Sequence, residues 1–272
     1  MIPNILSIAG SDPSGGAGIQ ADLKAISANG GFAMAALTAL TAQNTTAVTG
    51  VHPVPPDFVR QQIDTVFDDV TVHAVKIGMV ASSPIAAAIA DALEGQVDKG
   101  HRPPVVLDPV MVASSGARLL DDDAVGTITD RLMPLATVLT PNLRELALMT
   151  GQPVAESREA MLAQAEMLRA GGAAAVLAKG GHLTTAESPD LLLSADGAHW
   201  FDGARVETKN THGTGCSLAS SLATHLGHAR ALPDAAAAAK TFVARAIAAS
   251  DRLSVGHGHG PIHHFHALET PA

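Results

Sequence analysis

The stretch Asn210-Thr211-His212-Gly213-Thr214-Gly215-Cys216 runs directly into an apolar pattern at Leu218, Ala219, Leu222 and Leu226. Two glycines one residue apart permit a tight turn that aims successive N–H groups at one point, and the helix starting there adds the positive end of its dipole. The stretch is therefore a candidate anion site. Cys216, the only cysteine in the chain, falls in the first turn, where the dipole and the N–H groups should favour thiolate and lower its pKa. A proton acceptor and an oxyanion cradle on one loop are what phosphoryl transfer to a hydroxyl requires. The same residues also fit a glycine turn that starts a helix, with Cys216 as a small buried apolar side chain.

Such a loop needs a scaffold. Ile5–Ile8 reads as a short apolar strand, followed by a Gly/Ser/Asp/Pro-dense loop, Ala9–Gly18, and a helix over Ile19–Ala28. Strand-like runs recur at Ala35–Leu40, Ala74–Ile77, Val105–Leu107, Ala136–Leu139 and Ala174–Ala178. Between them, helical periods occupy Pro56–Phe67, Pro84–Leu93, Asp122–Leu132, Leu143–Thr150 and Glu159–Ala170. This alternation implies an α/β fold with a mostly parallel central sheet and helices on both faces. Leu191–Leu193 and His199–Phe201 flank an Asp196-Gly197 turn and read as a hairpin, after which Leu218–Leu226 and Asp234–Ser250 close the chain as helices. Neither an internal repeat nor a linker is visible, so residues 1–272 are expected to form one domain.

Composition narrows the function. Hydrophobic residues make up 47% and charged residues 16%, which excludes a disordered chain. The net charge of -9, with no basic run, argues against a nucleic-acid partner, though not against a nucleotide bound by a metal ion and a few directed N–H groups. No apolar run reaches the roughly 20 residues of a bilayer span, and Met1–Gly10 lacks a basic signal start. A membrane protein is not expected, and the lone cysteine agrees with a cytoplasmic location.

In a parallel sheet, ligands belong at the carboxyl ends of the strands. Three of these ends carry polar residues that packing does not need: Asp108-Pro109, then Asn142 with Glu145, then Lys179-Gly180-Gly181-His182. Asp108, Asn142 and Glu145 are oxygen donors suited to Mg²⁺ beside nucleotide phosphates, and Lys179 before two glycines can bring an ammonium to phosphate. Asn142 and Glu145 equally fit a helix cap. The first loop carries Gly16-x-Gly18-x-x-Ala21, a poor dinucleotide fingerprint because the glycines come too long after the strand, and no Walker loop exists. It reads instead as a flexible loop able to fold over a small ligand, with Asp22 one turn into the helix and within reach of a pocket. Gln43 offers a planar donor–acceptor pair for an aminopyrimidine edge, and Met79 a soft surface for a flat ring. The His-rich tail Gly256–His266 lacks a carboxylate or cysteine to complete a metal set.

Taken together, Ala9–Asp22, Thr41-Ala42-Gln43-Asn44, Lys76-Ile77-Gly78-Met79, Asp108-Pro109-Val110-Met111, Thr140-Pro141-Asn142, Lys179–His182 and the Gly213 loop closely resemble the hydroxymethylpyrimidine/phosphomethylpyrimidine kinases of thiamin synthesis. These belong to the ribokinase-like superfamily, and the tail Gly260–His266 resembles theirs too. The resemblance implies ATP and Mg²⁺ as co-substrate and cofactor, and two successive transfers: first to the alcohol, then to its monophosphate. It implies that Gly10, Asp22, Gln43 and Met79 lie at the pyrimidine. It further implies that Cys216 is the base, that Gly213, Thr214 and Gly215 hold the migrating phosphoryl group, and that Lys179, Asn142, Asp108 and Glu145 lie at the nucleotide and metal. Homodimers are common in that family, so one is expected here. Where many members carry Lys-Ser-Gly-Asp, this chain has Ser114-Ser115-Gly116-Ala117. Unless Arg118 substitutes, that departure implies weaker ATP binding or a weaker second transfer. A pyridoxal kinase of the same superfamily is the nearest alternative, followed by a non-catalytic sensor and a dehydrogenase.

Overall fold

A computed structural model describes residues 1–111, 122–181, 183 and 187–268. The Ser114–Ala117 departure, Arg118 and His182 lie outside the described residues. The chain runs β1 (Asn4–Ala9), α1 (Gly18–Ala28), β2 (Phe32–Leu37), β3 (Ala39–Gln43), β4 (Val48–Pro53), α2 (Pro56–Asp69), β5 (Ala74–Ile77), α3 (Ser83–Asp98) and β6 (Val105–Leu107). It continues with α4 (Asp122–Thr127), β7 (Val138–Leu139), α5 (Leu143–Thr150), α6 (Arg158–Ala170), β8 (Val176–Lys179), β9 (Asp190–Ser194), β10 (Gly197–Phe201), α7 (Thr214–Gly227) and α8 (Leu232–Ala248).

Eight strands form one sheet in the order β10-β9-β8-β7-β6-β5-β1-β2. All neighbours from β2 to β8 are parallel, and β9 and β10 add an antiparallel edge. Side chains alternate across the pleat, so each strand feeds two cores. Leu6, Ile8, Leu107, Leu139 and Ala178 pack with α2, α3, α5 and α6 on one face. Ile5, Val106, Val138 and Leu177 pack with α1, α7 and α8 on the other. The mostly parallel sheet with helices on both faces is therefore as expected, and Leu143–Thr150 is helical over the span expected.

One reading is corrected. Ala35–Leu40 is not a single strand, because β2 ends at Leu37 and the chain leaves the sheet at the fully buried Thr38. Thr38 anchors that exit: its N–H donates to Ala9 O at 3.0 Å and its Oγ1 to Met79 O at 2.7 Å. The next segment pairs instead with β4 as a separate two-stranded antiparallel hairpin. Gln43 thus ends β3 of this hairpin and not the second strand of the main sheet. Alternation along β3 leaves Leu40 and Ala42 exposed and turns Thr41 and Gln43 towards the strand ends.

Candidate active site

A cavity of about 650 Å³ lies along the carboxyl ends of the parallel strands. It begins beside β1 and β5, where chain order departs from both sides of β1, the usual place for a ligand in an open sheet. Gly10 follows β1, Asp108 follows β6, Asn142 follows β7, and Lys179 ends β8; all four line the cavity. Gln43, Met79, Glu145, Gly213, Thr214, Gly215 and Cys216 line it too.

The first turn of α7 forms one wall. Gly213 caps the helix with φ 81°, a conformation that L side chains rarely adopt. A Cβ there would also come within 1.8 Å of Gly16 O, so the two glycine loops touch backbone to backbone. A Cβ on Gly215 would lie 3.3 Å from Lys179 Nζ and 3.7 Å from Asp108 Oδ2, which places the Lys179 ammonium beside the first turn of the helix. Helix dipole and cation together favour an anion at this spot.

Asp12 holds the first loop to the second. Its carboxylate accepts from Ser14 N at 2.9 Å, Ser14 Oγ at 2.7 Å and Ala17 N at 2.8 Å, and meets His212 Nε2 at 2.8 Å. Burial alone would raise its pKa, but the hydrogen bonds from His212, Ser14 and Ala17 prevail and bring it down to about 2. The His212 ring packs so closely on Gly16 that a Cβ there would lie 2.3 Å from the ring. The expectation of a loose loop is therefore corrected: among the described residues it is pinned on both sides. The tail completes the clamp. His212 N donates to Gly260 O at 3.0 Å, and Ser217 Oγ, next to Cys216, meets His264 Nε2 at 2.8 Å. His264 is neutral near pH 7, held at about 4 chiefly by its burial. His264 thus braces α7, and no group of three or more metal-binding side chains occurs among the described residues.

Asp22 does not line the cavity, which corrects its expected place at the ring. It is fully buried beneath, accepting from Lys76 Nζ at 2.8 and 2.9 Å, from Ser7 Oγ at 2.6 Å and from Ser220 Oγ at 2.8 Å. Burial would lower the Lys76 pKa, but the paired Asp22 carboxylate outweighs it and raises the pKa above the ordinary range. Lys76 forms part of the cavity floor.

Cys216 is half-buried in the cavity wall on the first turn of α7, as expected. Its expected acidity is corrected. Burial pushes the thiol up to about 11, against the pull of Lys76 and a hydrogen bond from Gly18 N–H, with Asp22 and Asp108 adding to the rise. The free thiol is therefore protonated at neutral pH.

Asn142 and Glu145 form a capping box. Asn142 Oδ1 accepts from Arg144 N at 2.9 Å and Glu145 N at 3.0 Å, and Glu145 Oε2 accepts from Asn142 N at 2.8 Å. This is the competing reading of the pair, and it commits the Asn142 oxygen that was expected at the metal. Asp108 Oδ1 accepts from Lys179 Nζ at 2.7 Å and Thr140 Oγ1 at 3.0 Å, while Lys179 Nζ lies 3.9 Å from Glu145 Oε2. Burial raises Glu145 to about 7, with Asp108 adding to the rise and Lys179 opposing it.

Three features escaped sequence reading. The Asp12–His212 pair spans 200 residues and leaves no local trace. Lys76 does leave a signal, since a lysine inside the otherwise apolar strand Ala74–Ile77 must be paired. Val243, Ala244 and Ile247 of α8 supply an apolar wall, together with Lys240, which donates to Asp190 Oδ2 at 2.7 Å.

The glycine-capped N-terminus of α7, the Lys179 ammonium beside it and the apolar wall of α8 thus line one cavity at the carboxyl ends of the sheet. The model of the family "Phosphomethylpyrimidine kinase" matches residues 12–263, and the chain belongs to that family. It is 51% identical over 261 residues to a hydroxymethylpyrimidine/phosphomethylpyrimidine kinase of Rhizobium meliloti, covering 96% of each chain. It is 48% identical over 264 residues to the enzyme of that name from Salmonella typhimurium, covering 97% of this chain and 98% of the relative. Among solved structures, a Bacillus subtilis pyridoxal kinase in complex with ADP superposes with a TM-score of 0.88 at 31% identity, over 98% of this chain and 99% of that one. No helix among the described residues is long and apolar enough to cross a membrane.

Two predictions follow from the charge states. Because the Asp12 pKa is lower folded than unfolded, its contribution to stability is present above about 3.8 and is lost as pH falls through about 2. The difference in unfolding free energy between the wild type and Asp12→Asn should accordingly shrink from about 2 kcal/mol at pH 5 towards zero at pH 2, measured by urea denaturation. A constant difference would show that the carboxylate charge is not what holds the loop. Alkylation of Cys216 by iodoacetamide should be slow at pH 8 and climb steeply between pH 10 and 11; a plateau already reached at pH 8 would restore the acidic thiol.

Proposed function

We propose that residues 1–272 are one kinase domain that uses ATP to phosphorylate hydroxymethylpyrimidine to its monophosphate and then to its diphosphate, a step of thiamin synthesis. The observation that carries this reading is that the glycine-capped turn Gly213, Thr214 and Gly215, with Cys216, lines one cavity together with Gln43 and Met79. ATP use is supported by the ADP complex of the pyridoxal kinase relative.

Met79 and Gly10 receive the flat ring, whose polar edge meets Gln43. The hydroxymethyl arm then points at the α7 N-terminus. There the N–H groups of Gly213, Thr214 and Gly215 stabilise charge on the migrating group, which is the main demand of a loose phosphoryl transfer. Cys216 takes the hydroxyl proton only as thiolate: the thiol first releases its own proton to solvent, and the thiolate then accepts the proton of the hydroxyl as the O–P bond forms. Lys76 beneath assists the first of these steps, because its charge favours loss of the thiol proton. In the second transfer the acceptor is already an anion and needs no base. Lys179, Asp108 and Asn142 lie on the nucleotide side, and the apolar wall of α8 suits a purine.

Mg²⁺ fits this site in a limited way. Asp108 and Glu145 offer two carboxylates and the Asn142 oxygen is already committed, a donor set for an ion held mainly through water and phosphate. Bound there, Mg²⁺ would neutralise charge on the phosphates of ATP. We also infer a cytoplasmic homodimer, as the family resemblance implies; sedimentation equilibrium decides the assembly.

The test incubates the chain with Mg-ATP and hydroxymethylpyrimidine, beside a pyridoxal tube, and identifies products by mass. Monophosphate followed by diphosphate is expected, and product from pyridoxal alone would move the function to that alcohol, the reading its fold likeness to pyridoxal kinase supports. Diphosphate formed as fast as in the relatives would also remove the expectation attached to Ser114 and Ala117. Cys216→Ala should slow the first transfer by about a hundredfold and the second by much less. Equal slowing of both would remove the thiol from the proton's path.

A further inference from the structure

The tail places glycine at every second position, Gly256-His257-Gly258-His259-Gly260, and each of the three glycines lies where a side chain would have no room. A Cβ on Gly256 would come within 2.2 Å of Thr45 Oγ1, one on Gly258 within 2.0 Å of Thr45 O, and one on Gly260 within 2.2 Å of Asn210 Oδ1. Gly258 N also donates to Thr45 Oγ1 at 3.2 Å. This short segment therefore touches two parts of the site at once. Its first two glycines press on the turn of the β3–β4 hairpin. From Gly260 onwards it joins the Gly213 loop and α7: Gly260 O accepts from His212 N at 3.0 Å, Pro261 and His212 form a parallel β-bridge, and His264 meets Ser217.

The turn that receives the tail is stiff. Asn44 Oδ1 accepts from Thr46 N at 2.9 Å, Thr46 Oγ1 at 2.7 Å and Ala47 N at 3.0 Å, and Asn44 N donates to Ala47 O at 3.0 Å. A push on Thr45 is thus passed to Gln43, two residues back. On the other side of Gln43, Thr41 is moored to the first loop, its N–H donating to Ser11 Oγ at 3.1 Å and its Oγ1 to Ser11 O at 2.9 Å. A second cavity of about 310 Å³ is lined by the turn, by Gly258 of the tail and by Gln43 itself. Gln43 borders open space in both cavities, so its amide stands where the hairpin backbone puts it. We propose that Gly258 is a positioning residue for the acceptor substrate: by admitting the Thr45 backbone into contact, it lets the tail set the span between Gln43, at the ring, and the first turn of α7, at the phosphate. This rests on the functional reading above. Phosphoryl transfer needs the alcohol oxygen in line with the phosphate, and the ring edge held by Gln43 fixes the other end of the substrate, so the span must match the molecule. The nucleotide side, at Lys179 and Asp108, has no part in that span.

The experiment measures steady-state kinetics with hydroxymethylpyrimidine and ATP for the wild type, Gly258→Ala, Gln43→Ala and the double variant. Gly258→Ala should raise KM for the alcohol by about tenfold with KM for ATP unmoved, the scale on which a displaced positioning group is felt. In the double variant, KM for the alcohol should be no higher than in Gln43→Ala alone, because the tail acts through that amide. A merely structural role would act alike in both backgrounds, and its effects would multiply. That outcome, a KM for ATP that rises in step, or an unchanged alcohol KM in Gly258→Ala would overturn the proposal and leave the functional reading standing. A wild type that turns over no hydroxymethylpyrimidine would sink both. Should Gly258→Ala fail to fold, Thr45→Val and Thr45→Ser decide. The valine cannot accept from Gly258 N and should raise the same KM, whereas the serine keeps the oxygen and should not; equal values in the two would overturn the proposal.

Discussion

One buried carboxylate holds the mouth of this sheet together. Asp12 gathers its own loop through Ser14 and Ala17 and reaches across the cavity to His212. Without that reach, the Gly10–Gly18 loop and the Gly213 loop would be two independent glycine-rich segments, each with the conformational entropy that glycine brings. With it, Gly16 and Gly213 lie in backbone contact, the first turn of α7 lines the cavity, and His212 is held beside Gln43. A preorganised cradle does not have to reorganise as charge develops, which is where electrostatic catalysis gains most.

A second buried charge pair works below the first. Asp22 and Lys76 are both wholly buried, and each needs the other, because an unpaired charge at that depth is strongly destabilising. Their presence under Cys216 makes the local balance subtle. Lys76 pulls the thiol down while Asp22, Asp108 and above all burial push it up, and burial wins in the free chain. The thiol must therefore lose its own proton before it can take one from a substrate hydroxyl. A helix N-terminus alone was a poor guide to its acidity, since the same turn that supplies the dipole also buries the sulfur.

Most of the scaffold was legible in the order of residues. Apolar runs bounded by Gly, Asp and Pro marked β1, β5 and β6, and the capping box at Asn142 and Glu145 is written in their spacing. The break at Thr38 was not legible, because Phe32–Gln43 is one nearly continuous apolar run and the bonds that hold Thr38 at the exit come from Ala9 and Met79, both distant in the chain. The site was legible where chemistry is local: the Gly213 loop, Cys216, and the polar residues at the strand ends all line the cavity. It failed where charges pair over long separations. Asp22 looked like a ligand because its partner Lys76 sits 54 residues away, and Asp12 and His212 carried no role because their meeting is a property of the fold.

The account stands most directly on where the transferred phosphate lies. A crystal structure of the chain with hydroxymethylpyrimidine and a non-hydrolysable ATP analogue would measure it. The account predicts terminal phosphate oxygens within hydrogen-bonding distance of the Gly213, Thr214 and Gly215 N–H groups, the hydroxymethyl oxygen between that phosphate and Cys216 Sγ, and the ring edge on Gln43. A terminal phosphate seated away from the first turn of α7, or a ring bound on the far side of Lys179, would contradict it.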